Sequence, residues 1–198
     1  VTWGLTQVSG DVDASQAFRS AAFTVVSINT TTGFVTDDFN MWPDYLKLFM
    51  VVIMMVGGCS GSTSGSFKVI RFIILLKIIM RELKLLTHPR AIFHVKVGNK
   101  TIDADDLSNV AALTFLFIGF SALGGILLSA MGVDLTTAMT ATVASLFNIG
   151  PGLGDVGAMG NFSEIPALGK GILILFMLLG RLEIYGVILL FLPMTWRK

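Results

Sequence analysis

Two short glycine-containing segments are the places where this chain could do chemistry. Thr30-Thr31-Thr32-Gly33-Phe34 and Asn148-Ile149-Gly150-Pro151-Gly152 each follow a run of helix-forming residues too short to cross a bilayer. A backbone leaving a helix at such a glycine can adopt dihedrals closed to other residues. It can then turn successive carbonyl oxygens to one point, where they replace the hydration shell of a cation. A helix that ends there adds its partially negative C-terminus. The chemistry predicted is cation coordination by the carbonyls of Thr31, Thr32, Gly33, Phe34, Asn148, Ile149, Gly150 and Pro151. For Thr-Thr-Thr-Gly-Phe taken singly an ordinary loop competes; two copies in matching context favour a pore loop. Asp37, Asp38 and Asp155 stand just outside these segments, where they either enrich cations at a mouth or belong to a solvated loop.

A second constellation lies within an apolar stretch. Gly57, Gly58, Cys59, Ser60, Gly61, Ser62, Thr63, Ser64, Gly65 and Ser66 are ten small residues in succession, a composition that cannot sustain a helix by propensity. Such a backbone is hydratable and mobile enough to plug a cavity and swing aside. Close helix packing through the Gly-x-x-x-Gly spacings of Gly57, Gly61 and Gly65 is the competing reading. A phosphate-binding loop is excluded by the lack of a terminal Gly-Lys-Ser/Thr, and a serine nucleophile elbow by Ser62 two places after Ser60. Arg181 sits inside the last hydrophobic segment, with Glu183 two residues on. A charge there must face a partner or a cavity, and residues two apart on a helix do not face each other. Arg181 therefore lies against a pore or binds loop carbonyls as a buried structural residue. His88 and His94 lack companions at metal-ligand spacing.

The elements that would position these residues are helical. Of 198 residues, 54% are hydrophobic and 14% charged, and the mean hydropathy is +0.79; a soluble domain carries about 25% charged residues. A helix is predicted over 14–28, capped by Asp13; at about 1.5 Å per residue it enters a bilayer core without crossing it. A non-helical stretch over 29–43 follows. An apolar helix over 44–56 stops at Gly57, and a helix resumes over 67–86. His88-Pro89 ends it, and 90–106 is a polar connection. The uncharged run 110–133 marks a clean span over 107–133, then Asp134 caps a short helix through Phe147. The second glycine loop reaches Glu164, and Pro166 starts a helix to Leu192 before the basic end Trp196-Arg197-Lys198. Lys68, Arg71, Lys77, Arg81, Lys84, Arg90, Lys96 and Lys100 cluster with only Glu82 as an acid, which places that side in the cytoplasm. The basic helix over 68–84 is equally suited to anionic lipid or a cytosolic partner. Cys59 is the single cysteine, so no internal disulfide framework is expected. The chain opens on Val1 instead of Met, as a processed or truncated product would.

The halves repeat. Gly33 and Gly150 stand 117 positions apart, as do Asp38 and Asp155; an offset of 123 brings Pro43 onto Pro166, Gly57 onto Gly180 and Gly58 onto Arg181. The unit is spanning helix, half-helix, glycine loop, second helix, and the first copy lacks its opening span.

These motifs in this order, Ser27-Ile28-Asn29-Thr30-Thr31-Thr32-Gly33-Phe34, the small-residue segment from Gly57 to Gly65, Lys68-Val69-Ile70-Arg71, Asn148-Ile149-Gly150-Pro151-Gly152-Leu153-Gly154 and Gly180-Arg181-Leu182-Glu183-Ile184-Tyr185, resemble the Trk/Ktr/HKT superfamily of potassium transporters, above all the bacterial Trk potassium-uptake membrane subunits. The resemblance implies an all-α membrane protein of helix, pore-helix, helix repeats with re-entrant filter loops in a pseudo-fourfold, channel-like architecture, present here in part. Residues 1–86 would be repeat three without its first spanning helix, 87–106 a cytoplasmic connection, and 107–198 repeat four. It implies one filter glycine per repeat, here Gly33 and Gly150, and a gate beneath the filter made by the loop from Gly57 to Gly65 with Arg181 nearby. Potassium would be the transported ion, with no bound cofactor and no enzymatic activity. The implied partners are the remaining repeats, the lipid bilayer, a second copy in a homodimer and a cytosolic nucleotide-binding regulatory subunit, with no nucleic acid. The location would be the bacterial inner membrane, filter loops outside, connection and C-terminus in the cytoplasm. The competing function is a secondary transporter binding ion and solute at broken helices; an intramembrane enzyme would need a convergent nucleophile and base, and neither His88 nor His94 lies in an apolar span.

Overall fold

The computed structural model describes residues 14–59, 61, 67–88, 93–98, 100–182 and 184–191. Asp13, Pro89, Glu183 and the basic end at Trp196, Arg197 and Lys198 lie outside them, as do Ser60, Ser62, Thr63, Ser64, Gly65 and Ser66 of the expected gate.

The first copy holds α1 (Ala14–Asn29), a 3-10 turn (Phe39–Met41), α2 (Asp44–Met55) and α3 (Val69–Thr87); the second holds α4 (Ala104–Ala130), α5 (Leu135–Leu146), a 3-10 turn (Gly154–Val156), α6 (Ala167–Arg181) and α7 (Ile184–Phe191). Each boundary has a local cause. The Asp134 carboxylate accepts from the Thr136 and Thr137 amides at 3.0 and 3.3 Å and so starts α5. Pro43 and Pro166 precede α2 and α6 with nearly the same dihedrals, φ −55° and ψ 147° against φ −53° and ψ 149°. Asp105 and Asp106 occupy the first turn of α4, where the helix dipole favours them.

Length separates the helices by role. The 27 residues of α4 are long and apolar enough to cross a membrane, reaching about 40 Å. Apolar side chains cover α4 all round: Leu113, Phe117 and Leu128 are buried, while Phe115, Ile118 and Ile126 face outward. The 12 residues of α5 reach only about 18 Å, yet from Thr137 to Leu146 all but Met139 are buried. The main core joins both copies: Ala21 and Ile28 of α1, Met50 and Met54 of α2, Phe117 of α4, Leu146 and Phe147 at the end of α5, and Phe176 and Leu179 of α6. Phe67 packs edge-on against Phe117 with ring centroids 5.8 Å apart, and Phe117 lies 5.1 Å from Phe147. This stack ties the far side of the small-residue loop to the end of α5.

Several boundaries differ from the sequence expectation, among them the end of the span predicted to 133, which stops at Ala130. The helix predicted from Phe67 begins at Val69, because Phe67–Lys68 pairs in parallel with Val56–Gly57; the ends of the loop satisfy each other's backbone groups instead of extending helices. The span expected from Leu107 starts at Ala104, and the preceding connection holds a two-stranded hairpin of Lys96–Val97 with Lys100–Thr101. The final helix, expected to run unbroken to Leu192, is interrupted after Arg181. Its last α-helical bond runs from the Leu182 amide to the Leu178 carbonyl at 3.0 Å, and α7 begins at Ile184, tied to α4 by the Tyr185 hydroxyl donating to the Asn109 carbonyl at 3.2 Å. Both second helices of the repeat are thus broken.

Candidate functional site

The ends of α1 and α5 are built alike. The Thr30, Thr31 and Thr32 amides donate to the carbonyls of Val26, Ile28 and Ser27 at 2.9, 3.0 and 2.9 Å; the Phe147, Asn148 and Ile149 amides donate to Val143, Ser145 and Ala144 at 2.9, 3.1 and 2.9 Å. Every donor and acceptor in the first set maps onto the second at the same offset of 117. This is the Schellman termination, which requires a left-handed residue just past the helix. Thr31 and Asn148 fill that place with φ +55° and +56°. Asparagine tolerates this region, whereas a β-branched threonine there is strained, and such strain persists where the surroundings over-determine it. Two residues on, Gly33 and Gly150 have φ +75° and +111°.

The two turns meet. A Cβ on Gly33 would stand 2.4 Å from the Ile149 carbonyl oxygen and 3.1 Å from Pro151 Cδ. Gly33 is therefore required twice, by its dihedrals and by the backbone of the other copy. A Cβ on Gly150 would meet nothing within 4 Å. Of Thr31, Thr32, Gly33 and Phe34, Gly33 is the residue that approaches the second segment, at Ile149 and Pro151.

Outside this contact, side chains from α5 fix the second loop. The buried Thr140 hydroxyl accepts from the Leu153 amide at 3.0 Å and lies 2.7 Å from the Thr136 carbonyl. The Asp155 amide donates to the Thr137 hydroxyl at 3.2 Å, and that hydroxyl donates to the Asp155 carboxylate at 3.4 Å. Asn40 reaches from the first loop to Gly154, donating to its carbonyl and accepting from its amide, both at 3.0 Å. Of the three acids near the mouth, Asp155 is engaged with Thr137 and Asp38 caps the Phe39–Met41 turn by accepting from the Asn40 amide at 3.0 Å. Asp37 lines a groove with Gln16, Arg19 and Ser20.

Behind the turns lie the broken helices. The Asn29 side chain at the end of α1 donates to the Val56 carbonyl at 3.2 Å, where α2 gives way to the small-residue loop. The Val69 amide donates to the Gly58 carbonyl at 3.3 Å, so Gly57 and Gly58 are held at the base of that loop. Cys59 is exposed and Gly61 has φ +89°. In the second copy the Asn148 side chain donates to the Met177 carbonyl of α6 at 3.1 Å. A Cβ on Gly180 would stand 1.7 Å from the Leu146 carbonyl oxygen; α6 can touch the end of α5 only through a glycine. Arg181, the last residue of α6, follows directly and its side chain is exposed.

Asn29, Asn40, Thr137 and Thr140 were not singled out from sequence. Thr137 and Thr140 carried a weak signal, hydroxyl residues three apart in an apolar helix. Asn29 and Asn40 carried none, because their acceptors lie 27 and 114 positions away.

Comparison with known proteins places this geometry. The family described as TrkH, cation transport protein, matches residues 5–198. The chain is 43% identical over 193 residues to the Trk system potassium uptake protein TrkH of Halomonas elongata, covering 96% of this chain and 39% of that protein. It is 40% identical over 185 residues to the Trk system potassium uptake protein TrkH of Escherichia coli K12, covering 93% of this chain and 38% of that protein. It also matches the crystal structure of the potassium transporter TrkH from Vibrio parahaemolyticus with a TM-score of 0.90 and 37% identity, over 99% of this chain and 42% of that one. The chain thus spans about two fifths of the length of the relatives it matches. With this likeness over nearly its whole length, and with an all-α membrane fold of short pore helices beside longer ones, the chain belongs to the TrkH family of cation transport proteins.

Proposed function

We propose that this chain is the C-terminal part of the pore-forming subunit of a potassium uptake system. The observation that carries the reading is the pair of matching Schellman turns that meet where Gly33 packs against Ile149. In this reading 1–86 is repeat three without its first span, 87–106 a cytoplasmic connection and 107–198 repeat four, and the remaining repeats complete a pseudo-fourfold ring. Carbonyls of Thr31, Thr32, Gly33 and Phe34 with those of Asn148, Ile149, Gly150 and Pro151 form half of the filter, replacing the hydration shell of potassium as it passes. Gly150, where an added Cβ would meet open space among the described residues, faces the next repeat. The loop from Gly57 to Gly65, including Cys59, Ser60, Gly61, Ser62, Thr63 and Ser64, acts with Arg181 as the barrier below. Asn29 and Asn148 connect the filter turns to that level.

No covalent step is required, and the names of the relatives, potassium uptake proteins and a potassium transporter, support transport over enzymatic activity and over solute binding by a secondary transporter. The subunit sits in the bacterial inner membrane with filter loops outside and connection and C-terminus in the cytoplasm, where the basic α3 favours the anionic leaflet. It pairs as a homodimer and works with a cytosolic nucleotide-binding regulatory subunit, without cofactor or nucleic acid. The test is potassium uptake by the complete subunit in a bacterium lacking its own uptake systems: growth at low potassium is the expected result, and an absence of potassium flux in a folded, inserted protein would overturn the reading.

A further inference from the structure

We propose that Asn40 is a positioning residue for ion selectivity: its side chain clasps the loop outside the first filter turn to the loop outside the second. The proposal rests on the reading of the two turns as filter segments.

A single amide makes both bonds. Its nitrogen donates to the Gly154 carbonyl and its oxygen accepts from the Gly154 amide, each at 3.0 Å. Two bonds to one peptide residue fix separation and rotation together, as a single bond does not. Both ends are themselves anchored. On one side, Asn40 lies in the 3-10 turn capped by Asp38, between the buried Phe39 and the buried Trp42. On the other, Leu153 and Asp155 flank Gly154 and are held to α5 by Thr140 and Thr137. A Cβ on Gly157 would stand 1.9 Å from Asn40 Nδ2, so the backbone at that point leaves room for the amide alone.

The clasp acts on the filter by geometry. The filter turns meet where Gly33 packs against Ile149, and apolar packing in the shared core joins the two copies; packing of this kind is non-directional. The Asn40 pair, seven residues beyond Gly33 and four beyond Gly150, adds a directional attachment that resists rotation of one loop against the other. Discrimination between potassium and sodium depends on the number and placement of carbonyls around the ion, so a rotation that spares the ring but loosens it lowers selectivity before it lowers flux. Aspartate at position 40 keeps the size, loses the donor and sets a carboxylate against the Gly154 carbonyl.

The experiment measures the potassium-to-sodium permeability ratio of the complete subunit in lipid vesicles, for the unaltered protein, Asn40→Asp, Gly157→Ala and Asn161→Ala. The Asn161 side-chain oxygen accepts from the Ser163 amide and hydroxyl within the same loop, so Asn161→Ala serves as the control. Asn40→Asp and Gly157→Ala, which disturb the clasp from opposite sides, are expected to lower the ratio about tenfold, a change of the size of one hydrogen bond, with Asn161→Ala unchanged. An unchanged ratio in conducting Asn40→Asp and Gly157→Ala proteins overturns the proposal. Should those variants not fold, hydrogen exchange at the Gly154 amide of the unaltered protein decides: slow exchange supports the clasp, and exchange at the rate of an open loop overturns it. An unaltered protein without potassium preference would instead overturn the filter reading, and the exchange measurement would still judge the clasp.

Discussion

Thr31 and Asn148 occupy the same left-handed position in two copies of one turn, and only one of them suits it. Thr31→Asn is expected to relieve part of the strain, raising the stability of the complete subunit by up to about 1 kcal/mol, read as a higher melting temperature. Asn148→Thr is expected to lower it, adding the strain and removing the bond to the Met177 carbonyl. Equal melting temperatures for the pair would show that the dihedral at this position carries no cost. The glycines two residues on differ in another way. Gly33→Ala must clash with the Ile149 carbonyl as well as adopt a strained φ, whereas Gly150→Ala incurs the strain without a clash among the described residues. The importance of both glycines was legible in the sequence, since each follows a helix too short to span. Their contact across 116 positions to Ile149 was not, because it depends on how the two copies pack.

At the scale of elements, the sequence showed the helix starts that carry a local mark and missed the starts of α3 and α4, which do not. Asp134, Pro43 and Pro166 mark starts through side-chain or dihedral preferences that act within a few residues. The break after Arg181 has no such mark: Gly180-Arg181-Leu182 reads as continuing helix, and the interruption lies where α6 meets the end of α5. The small-residue loop was legible as a break, but the pairing of Val56–Gly57 with Phe67–Lys68 joins segments separated by that loop. Gly180→Val is expected to drive α6 from α5 and destabilise the complete subunit by several kcal/mol, at least about 2, seen as loss of folded protein on size-exclusion chromatography. A monodisperse variant of normal stability would refute this packing. Asn29→Ala leaves the Val56 carbonyl without its side-chain donor at a cost of about 1 kcal/mol, and a thermal melt of the complete subunit matching the unaltered one would show that the bond contributes nothing. Shortening 57–66 is expected to raise ion flux; flux held at the unaltered level would assign the segment to packing.

At the scale of the molecule, two copies of one unit account for the composition. The apolar runs cross or line a membrane, and the glycines and polar residues that dilute them fall at the turns and breaks. In the proposed reading the filter is shared among units, of which this chain contributes two segments that meet at Gly33 and Ile149. The central claim is that the contact of Gly33 with Ile149 shapes a potassium-selective ring. Its most direct test is the reversal potential of the complete subunit under opposed potassium and sodium gradients, before and after Gly33→Val. The account predicts a potential near that of potassium for the unaltered protein, shifted toward sodium in the variant by about tenfold or more in permeability ratio. A folded, conducting Gly33→Val protein with its potassium preference intact would contradict it.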